Sequence, residues 1–312
     1  MATQKLLFAL CLIVTFYLTC QHPQDALAQA PINFDTAVTP FFSGSVFQSR
    51  GVFIHKTDDD DKALDRKLTI REVPVVFGYA PTRDIAATVS IPWLEKSQRR
   101  NLSDRRVTLD AAGLGDMAIL GRWTFKKWLG LWRRTDLAVI GGVELPTGDT
   151  NRRDEDIRLP PTLQLGSGSF DPFLRIAFSR IVKRNSLFTE LQYKVNTPGA
   201  LDYKFGDVLK YDLAFAHRFF PAEKYPNPEF YGILELNGIW EQQARQRGMN
   251  VKNTGSNTIF LSPGIQAIPL KNLLIEASVQ IPIYQDLRGK QLGYDVGDPG
   301  DSNIVFGFRF LY

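Results

Sequence analysis

The feature that most constrains this chain is its end. Residues 303–312 read Asn-Ile-Val-Phe-Gly-Phe-Arg-Phe-Leu-Tyr, with Ile304, Phe306, Phe308, Phe310 and Tyr312 on alternate positions. A strand sends alternate side chains to opposite faces. One face here is aromatic and apolar, while the other carries Gly307 and Arg309. An exposed apolar edge strand invites pairing with other chains. Two settings satisfy such a strand. One is the buried last strand of a soluble sandwich; the other is a closed barrel in a membrane, where the last strand pairs with the first and its aromatic face meets lipid.

The start of the chain favours the second setting. Lys5, the apolar run from Leu6 to Leu18, and Ala28-Gln29-Ala30 have the three-part layout of a secretory signal peptide. The apolar run is too short for a spanning helix, which needs about 20 residues. The expected domains are therefore a signal peptide over 1–30, cleaved near Ala30, and one barrel domain over 31–312. Tyr17-Leu18-Thr19 before Cys20 is a poor lipid-attachment box. Both cysteines, Cys11 and Cys20, fall in the segment to be removed, which leaves no thiol for disulfides, nucleophilic catalysis or metal binding.

The rest of the chain is a succession of short alternating runs without useful helical amphipathicity. Strands are expected at 41–56, 66–79, 85–93, 116–125, 135–145, 170–180, 187–195, 208–219, 230–241, 258–268, 273–283 and 303–312. Connections after odd strands are long and rich in Asp, Arg, Gly and Asn; those after even strands are mostly short. The segment 95–110 reads as a long polar loop, 126–133 as a turn, and Asp58-Asp59-Asp60-Asp61-Lys62 as a solvated loop tip. Alternating loop lengths and an even strand count are the layout of an outer-membrane barrel. The expected fold class is thus all-β: a transmembrane antiparallel β-barrel of about 12 strands with both termini periplasmic. Trp93, Trp123, Trp128 and Trp132 sit near expected strand ends, where interfacial aromatic girdles belong.

Charge falls on one parity of the strands. A charged side chain on the lipid face costs roughly 2–4 kcal/mol near midplane, so the charged parity is assigned to the lumen. Glu190, Gln192, Lys194, Lys210, Asp212, Arg218, Glu235, Asn237, Glu276 and Gln280 are the proposed pore-lining residues. Their mixed signs suggest salt-bridge ladders that brace the wall.

Three motifs stand out: Gly113-Leu114-Gly115-Asp116, Leu145-Pro146-Thr147-Gly148-Asp149, and Leu165-Gly166-Ser167-Gly168-Ser169-Phe170-Asp171-Pro172. In this order they resemble the outer-membrane transporter family named for the meta-pathway of phenol degradation, over about Val73 to the C-terminus. The resemblance implies an outer-membrane barrel that moves small, often hydrophobic or aromatic compounds; it carries no catalytic or ligand residues to this chain. Read physically, glycine permits close backbone approach and aspartate accepts backbone hydrogen bonds in turns. Gly113, Gly115, Asp116, Pro146, Gly148, Asp149, Gly166, Gly168 and Asp171 are therefore expected to shape loop bases. The alternative is that these loops fold inward and narrow the pore. No Lys-Ser/Thr pair or helix follows the glycine-rich run, which removes a phosphate-binding reading.

Other chemistries have little to stand on. His55 and His217 are the only histidines after the leader, and neither belongs to a serine or acid motif. His217 shares the parity of Leu213 and Phe215, so it is expected to face lipid near an interface. No cofactor, metal or enzymatic activity is expected. The formal net charge of +4 is too small and too mixed along the chain for nucleic acid. The expected partners are outer-membrane lipid, a small-molecule solute, and the barrel-assembly machinery through the C-terminal strand, in the outer membrane of a Gram-negative bacterium. A barrel plugged by its own side chains that binds a partner through its loops is the rival, and a membrane-embedded hydrolase a weaker one.

Overall fold

The computed structural model describes residues 30–37, 44–59, 64–102, 105–154, 157–220, 228–270 and 272–311. Twelve antiparallel strands form one closed sheet. They are β1 (Gly44–Lys56), β2 (Lys67–Ala80), β3 (Ile85–Leu102), β4 in two segments (Arg105–Leu114 and Met117–Gly130), β5 (Arg133–Leu145), β6 (Asp171–Val182), β7 (Asn185–Lys194), β8 (Val208–Phe220), β9 (Glu229–Glu241), β10 (Ser256–Leu270), β11 (Leu273–Leu287) and β12 (Asn303–Leu311). Each strand pairs with its sequence neighbour, and β12 closes on β1 from Val46↔Leu311 to Phe53↔Ile304. Closure leaves no ladder edge unpaired, which is the condition for a sheet to sit in hydrocarbon.

The two parts of β4 form one return strand along β3. The outer segment pairs as Trp93↔Leu114 and the inner one as Ser90↔Ala118, a register shift of one residue. Gly115-Asp116 supplies the extra residue, and Gly115 N donates to Pro92 O at 2.9 Å. Such a bulge re-aims the strand locally.

All twelve expected strands are present, with the expected parity. Leu187, Leu191, Tyr193, Leu213, Phe215, Leu234, Leu236, Ile304 and Phe306 are exposed on the outer face. Glu190, Asp212, Glu235 and Glu276 are buried on the inner one. Tyr312 lies outside the described residues, as do residues 1–29, which hold most of the expected leader.

Three local expectations are corrected. The 95–110 segment is a strand hairpin, with β3 and β4 paired out to Leu102↔Arg105. Its charged composition suits a ladder that stands clear of lipid, so composition hid the pairing, and Trp93 lies within β3 instead of at its end. The 126–133 segment is mostly strand, since β4 runs to Gly130 and meets β5 at Gly130↔Arg133. The acidic run is not wholly solvated: Asp58–Asp59 pairs with Leu292–Gly293, and Asp59 is buried against Arg66 at 2.7 Å. Asp60 to Lys62 lie outside the described residues.

Candidate functional site

The lumen is filled at one end and hollow at the other. Residues 30–37 enter the barrel as an irregular strap near the short-turn end, and Ile32 and Ala37 have no exposed surface. Space for the strap comes from small inward residues. Ala80, Ala86, Ala214 and Ala216 surround Ile32 and Phe34 together with Phe188, Tyr231 and Leu274. Ala37 packs on Ala138, Ile140 and Ala177. A side chain at Gly264 would collide with the strap, because a Cβ there would stand 2.6 Å from Ile32 Cδ1.

Polar groups of the wall satisfy the strap's backbone, as a buried irregular segment requires. Glu235 accepts from Ile32 N at 2.6 Å, Asn33 N at 3.2 Å and Asn33 Nδ2 at 2.8 Å. Ser179 accepts from Ala37 N at 3.0 Å, and Thr124 Oγ1 donates to Ala37 O at 2.9 Å. Gln266 Nε2 donates to Ala30 O at 3.3 Å. Asp35 pairs with Arg175 and, at 3.1 Å, with Arg122. Burial alone would raise the Asp35 pKa, but the Arg175 and Arg122 guanidiniums outweigh it and hold the carboxyl below its ordinary value.

Nearer the loop end lies a chamber of about 430 Å³, lined among others by Glu72, Lys96, Glu144, Lys194, Leu165 and Phe205. Lys194 and Glu144 are 3.2 Å apart. Lys210 points to the lumen side but is exposed, within electrostatic reach of Glu72 across the barrel. The chamber roof is the β5–β6 loop, which bends inward. Leu159, Leu163 and Leu165 are buried against Leu109 and Ala111 of the β3–β4 hairpin. Lys96 Nζ donates to Thr162 O and Gln164 O at 3.2 and 2.6 Å.

The three glycine-rich motifs meet at the base of that roof. Asp116 Oδ1 accepts from Gly148 N at 2.8 Å, and its Oδ2 accepts from Ser167 N at 2.6 Å and Ser167 Oγ at 2.9 Å. Gly148 and Gly166 touch so closely that a Cβ on Gly148 would lie 2.7 Å from Gly166 Cα. Gly168 has φ +74°, a left-handed conformation that favours glycine. Asp171 accepts from Thr197 N at 2.7 Å and from Ser169 Oγ at 3.0 Å, tying the β7–β8 loop to the same knot. Gly113 and Gly115 flank the bulge beside Leu165 and Leu94. Asp149 accepts from Asn151 N at 2.8 Å, and Pro146 begins the loop. These contacts lie at the loop bases, and the β5–β6 loop packs inward on Leu109 and Ala111.

The ten proposed lining residues all lie on the inward parity, but their partners are mostly residues the sequence did not single out. Glu190 faces Arg175 at 4.0 Å, Glu276 pairs with Arg50 at 2.9 Å, and Arg218 with Glu229 at 3.4 Å. Asn237 Nδ2 bridges Asp212 and Glu235 at 2.9 and 3.3 Å. Gln192 is buried, and Gln280 accepts from Asn303 at 2.9 Å. Glu235 braces the strap instead of an opposite wall. His217 is outward and half-buried, 2.7 Å from Asn185 Oδ1. The strap itself was legible only indirectly, as a surplus of alanine on the inward parity at the short-turn ends of β5, β6 and β8.

An apolar exterior, a charged interior and full closure define a transmembrane β-barrel of the outer-membrane type. Residues 69–294 match the family model described as "Putative MetA-pathway of phenol degradation", and the chain belongs to that family. A search of curated proteins finds no significant match. Among solved structures, the COG4313 outer membrane channel from Pseudomonas putida F1 superposes with a TM-score of 0.65 at 12% identity, covering 91% of this chain and all (100%) of that one. The β domain of the Bordetella autotransporter Brka gives 0.45 at 11% identity, covering 86% and 100%. The CymD monoaromatic hydrocarbon channel gives 0.39 at 8% identity, covering 87% and 88%.

Proposed function

We propose that this barrel is a passive outer-membrane conduit for small molecules, held shut in the observed state by its strap. The observation that carries the reading is the hollow, charge-lined chamber inside a wall whose outer surface is apolar. A barrel needs no water-accessible chamber for stability, whereas a solute path does. The Pseudomonas putida structure with the same fold is described as a channel, and the family description points to phenolic compounds. Small aromatic solutes suit a chamber in which Leu165 and Phe205 stand beside Glu72 and Lys96. In this reading the leader is cleaved near Ala30, both termini face the periplasm, the long loops face outward, and the barrel-assembly machinery engages β12. No step of passage calls for a catalytic group.

The strap favours a second reading, a permanently plugged barrel that serves as an interaction scaffold. Planar-bilayer conductance and liposome swelling of the purified protein, with and without residues 31–37, separate the two. A conduit held shut by the strap gives few or no channels with residues 31–37 in place and open channels without them. Silence in both forms supports the plug.

A further inference from the structure

The end of the barrel opposite the roof carries a cluster that solute passage does not use. The β4–β5 and β6–β7 turns are joined by a hydrogen bond from Lys183 N to Trp132 O at 3.0 Å. The first of these turns exposes Leu131 and Trp132, which are 88% and 60% exposed. Beside them stand Arg133, Arg180, Lys183 and Arg184, all exposed. None of the four has a carboxylate partner among the described residues. The described acids nearby are committed elsewhere: Asp84 to Lys127, and the inward Asp136 to Arg134 at 2.7 Å.

The register fixes where two of these cations, Arg133 and Arg180, point. Arg180 lies opposite Thr135 and Leu187, and Arg133 opposite Val182, all on the outward parity. Their stems therefore run along the lipid side in the last turn of the wall, where long basic side chains reach for the interface. Exposed apolar tips beside unpaired guanidiniums suit neither water nor hydrocarbon alone. They suit the boundary, where tryptophan gathers and anionic headgroups attract basic clusters. Guanidinium forks match phosphate oxygens bidentately.

We propose that this end of the barrel binds the headgroup phosphate of an anionic phospholipid, with Arg133, Arg180, Lys183 and Arg184 as its cationic ligands and Leu131 and Trp132 of the β4–β5 turn sunk beneath the headgroups. The assignment rests on the membrane placement above. A soluble phosphate would find the same cations but would make no use of Leu131 and Trp132.

The test reconstitutes the full folded protein in nanodiscs of equal phosphatidylcholine and phosphatidylglycerol, then counts retained lipid by native mass spectrometry. The expected result is severalfold enrichment of phosphatidylglycerol on the wild type. Enrichment should be lost in the Arg133→Gln/Arg180→Gln/Lys183→Gln/Arg184→Gln variant. It should be kept in a charge-matched control at the loop end, Arg99→Gln/Arg106→Gln/Arg245→Gln/Arg247→Gln. Circular dichroism checks that each variant keeps its sheet. Wild-type retention at the bulk ratio, or unchanged enrichment in the first variant, overturns the proposal. So does displacement of the lipid by millimolar inorganic phosphate, which assigns the cluster to a soluble anion. Failure to insert into bilayers of any composition overturns the membrane placement itself.

Discussion

Asp116 is one short side chain that gathers both arms of the β5–β6 loop. Its two oxygens take three donors from the β5–β6 loop, so replacing it with alanine orphans two backbone N–H groups at the foot of the roof. Buried donors left unpaired cost roughly 1–3 kcal/mol each; these two are half-buried, so the loss falls at the low end and is local. The Asp116→Ala variant should fold, but trypsin should cut its roof at Arg152 or Arg153 at least tenfold faster than in the wild type; an unchanged cleavage rate would refute the knot. Lys210 tests the chamber by charge. Its ammonium is exposed to lumen water, so Lys210→Glu should shift the reversal potential in a salt gradient toward cation preference, and no shift would remove it from the path. Asp35 sets the acid limit of the strap. Its pKa lies lower in the folded protein than the ordinary 3.8, so its contribution to docking is fully present above that value and fades only as pH falls below it. Conductance should stay low from neutral pH down to about 4 and rise in stronger acid. An Asp35→Asn variant should be leakier at neutral pH; an increase already at pH 6 in the wild type would contradict this assignment.

At the scale of elements, the strap and the roof are irregular pieces folded into the barrel, and each is held by wall groups that came from separate strands. Glu235 serves three strap donors. The Glu235→Ala variant should therefore raise the open probability without lowering the sheet content, and its single-channel trace should resemble that of the form lacking residues 31–37. Identical traces for Glu235→Ala and the wild type would mean that Glu235 does not hold the strap shut. The β3–β4 hairpin shows where strand reading fails. Alternation is enforced only where one face meets lipid and the other a polar lumen. Beyond the membrane the outer face meets water and the inner face meets the roof, so Ser97 to Thr108 carry charges on both parities although β3 and β4 stay paired. The same reasoning explains the β4 end, where Lys126 and Lys127 looked like the start of a turn but are still paired strand.

At the scale of the whole molecule, closure decides the environment. With the sheet sealed by β12 on β1 and the outer face lined by residues such as Phe77, Trp123, Leu191 and Phe306, the barrel should keep its sheet in detergent. It should aggregate when detergent is removed. A leader-cleaved chain that stayed monomeric and β-rich in plain buffer would contradict the membrane assignment at its root.

The amino-acid sequence determined the strand count, the parity of each strand and the pairing order, because hydrophobic alternation and turn chemistry act over a few residues and are written locally. It also marked the glycine-rich motifs as special. Only the tertiary structure decided that Asp116 draws those motifs into one knot, that Arg50, Arg122 and Arg175 answer the lumen acids, and that residues 30–37 fill the space left by alanines on distant strands. Those contacts join residues as far apart as Ile32 and Glu235, and the complement of a cavity is a property of the closed wall, which no single strand carries.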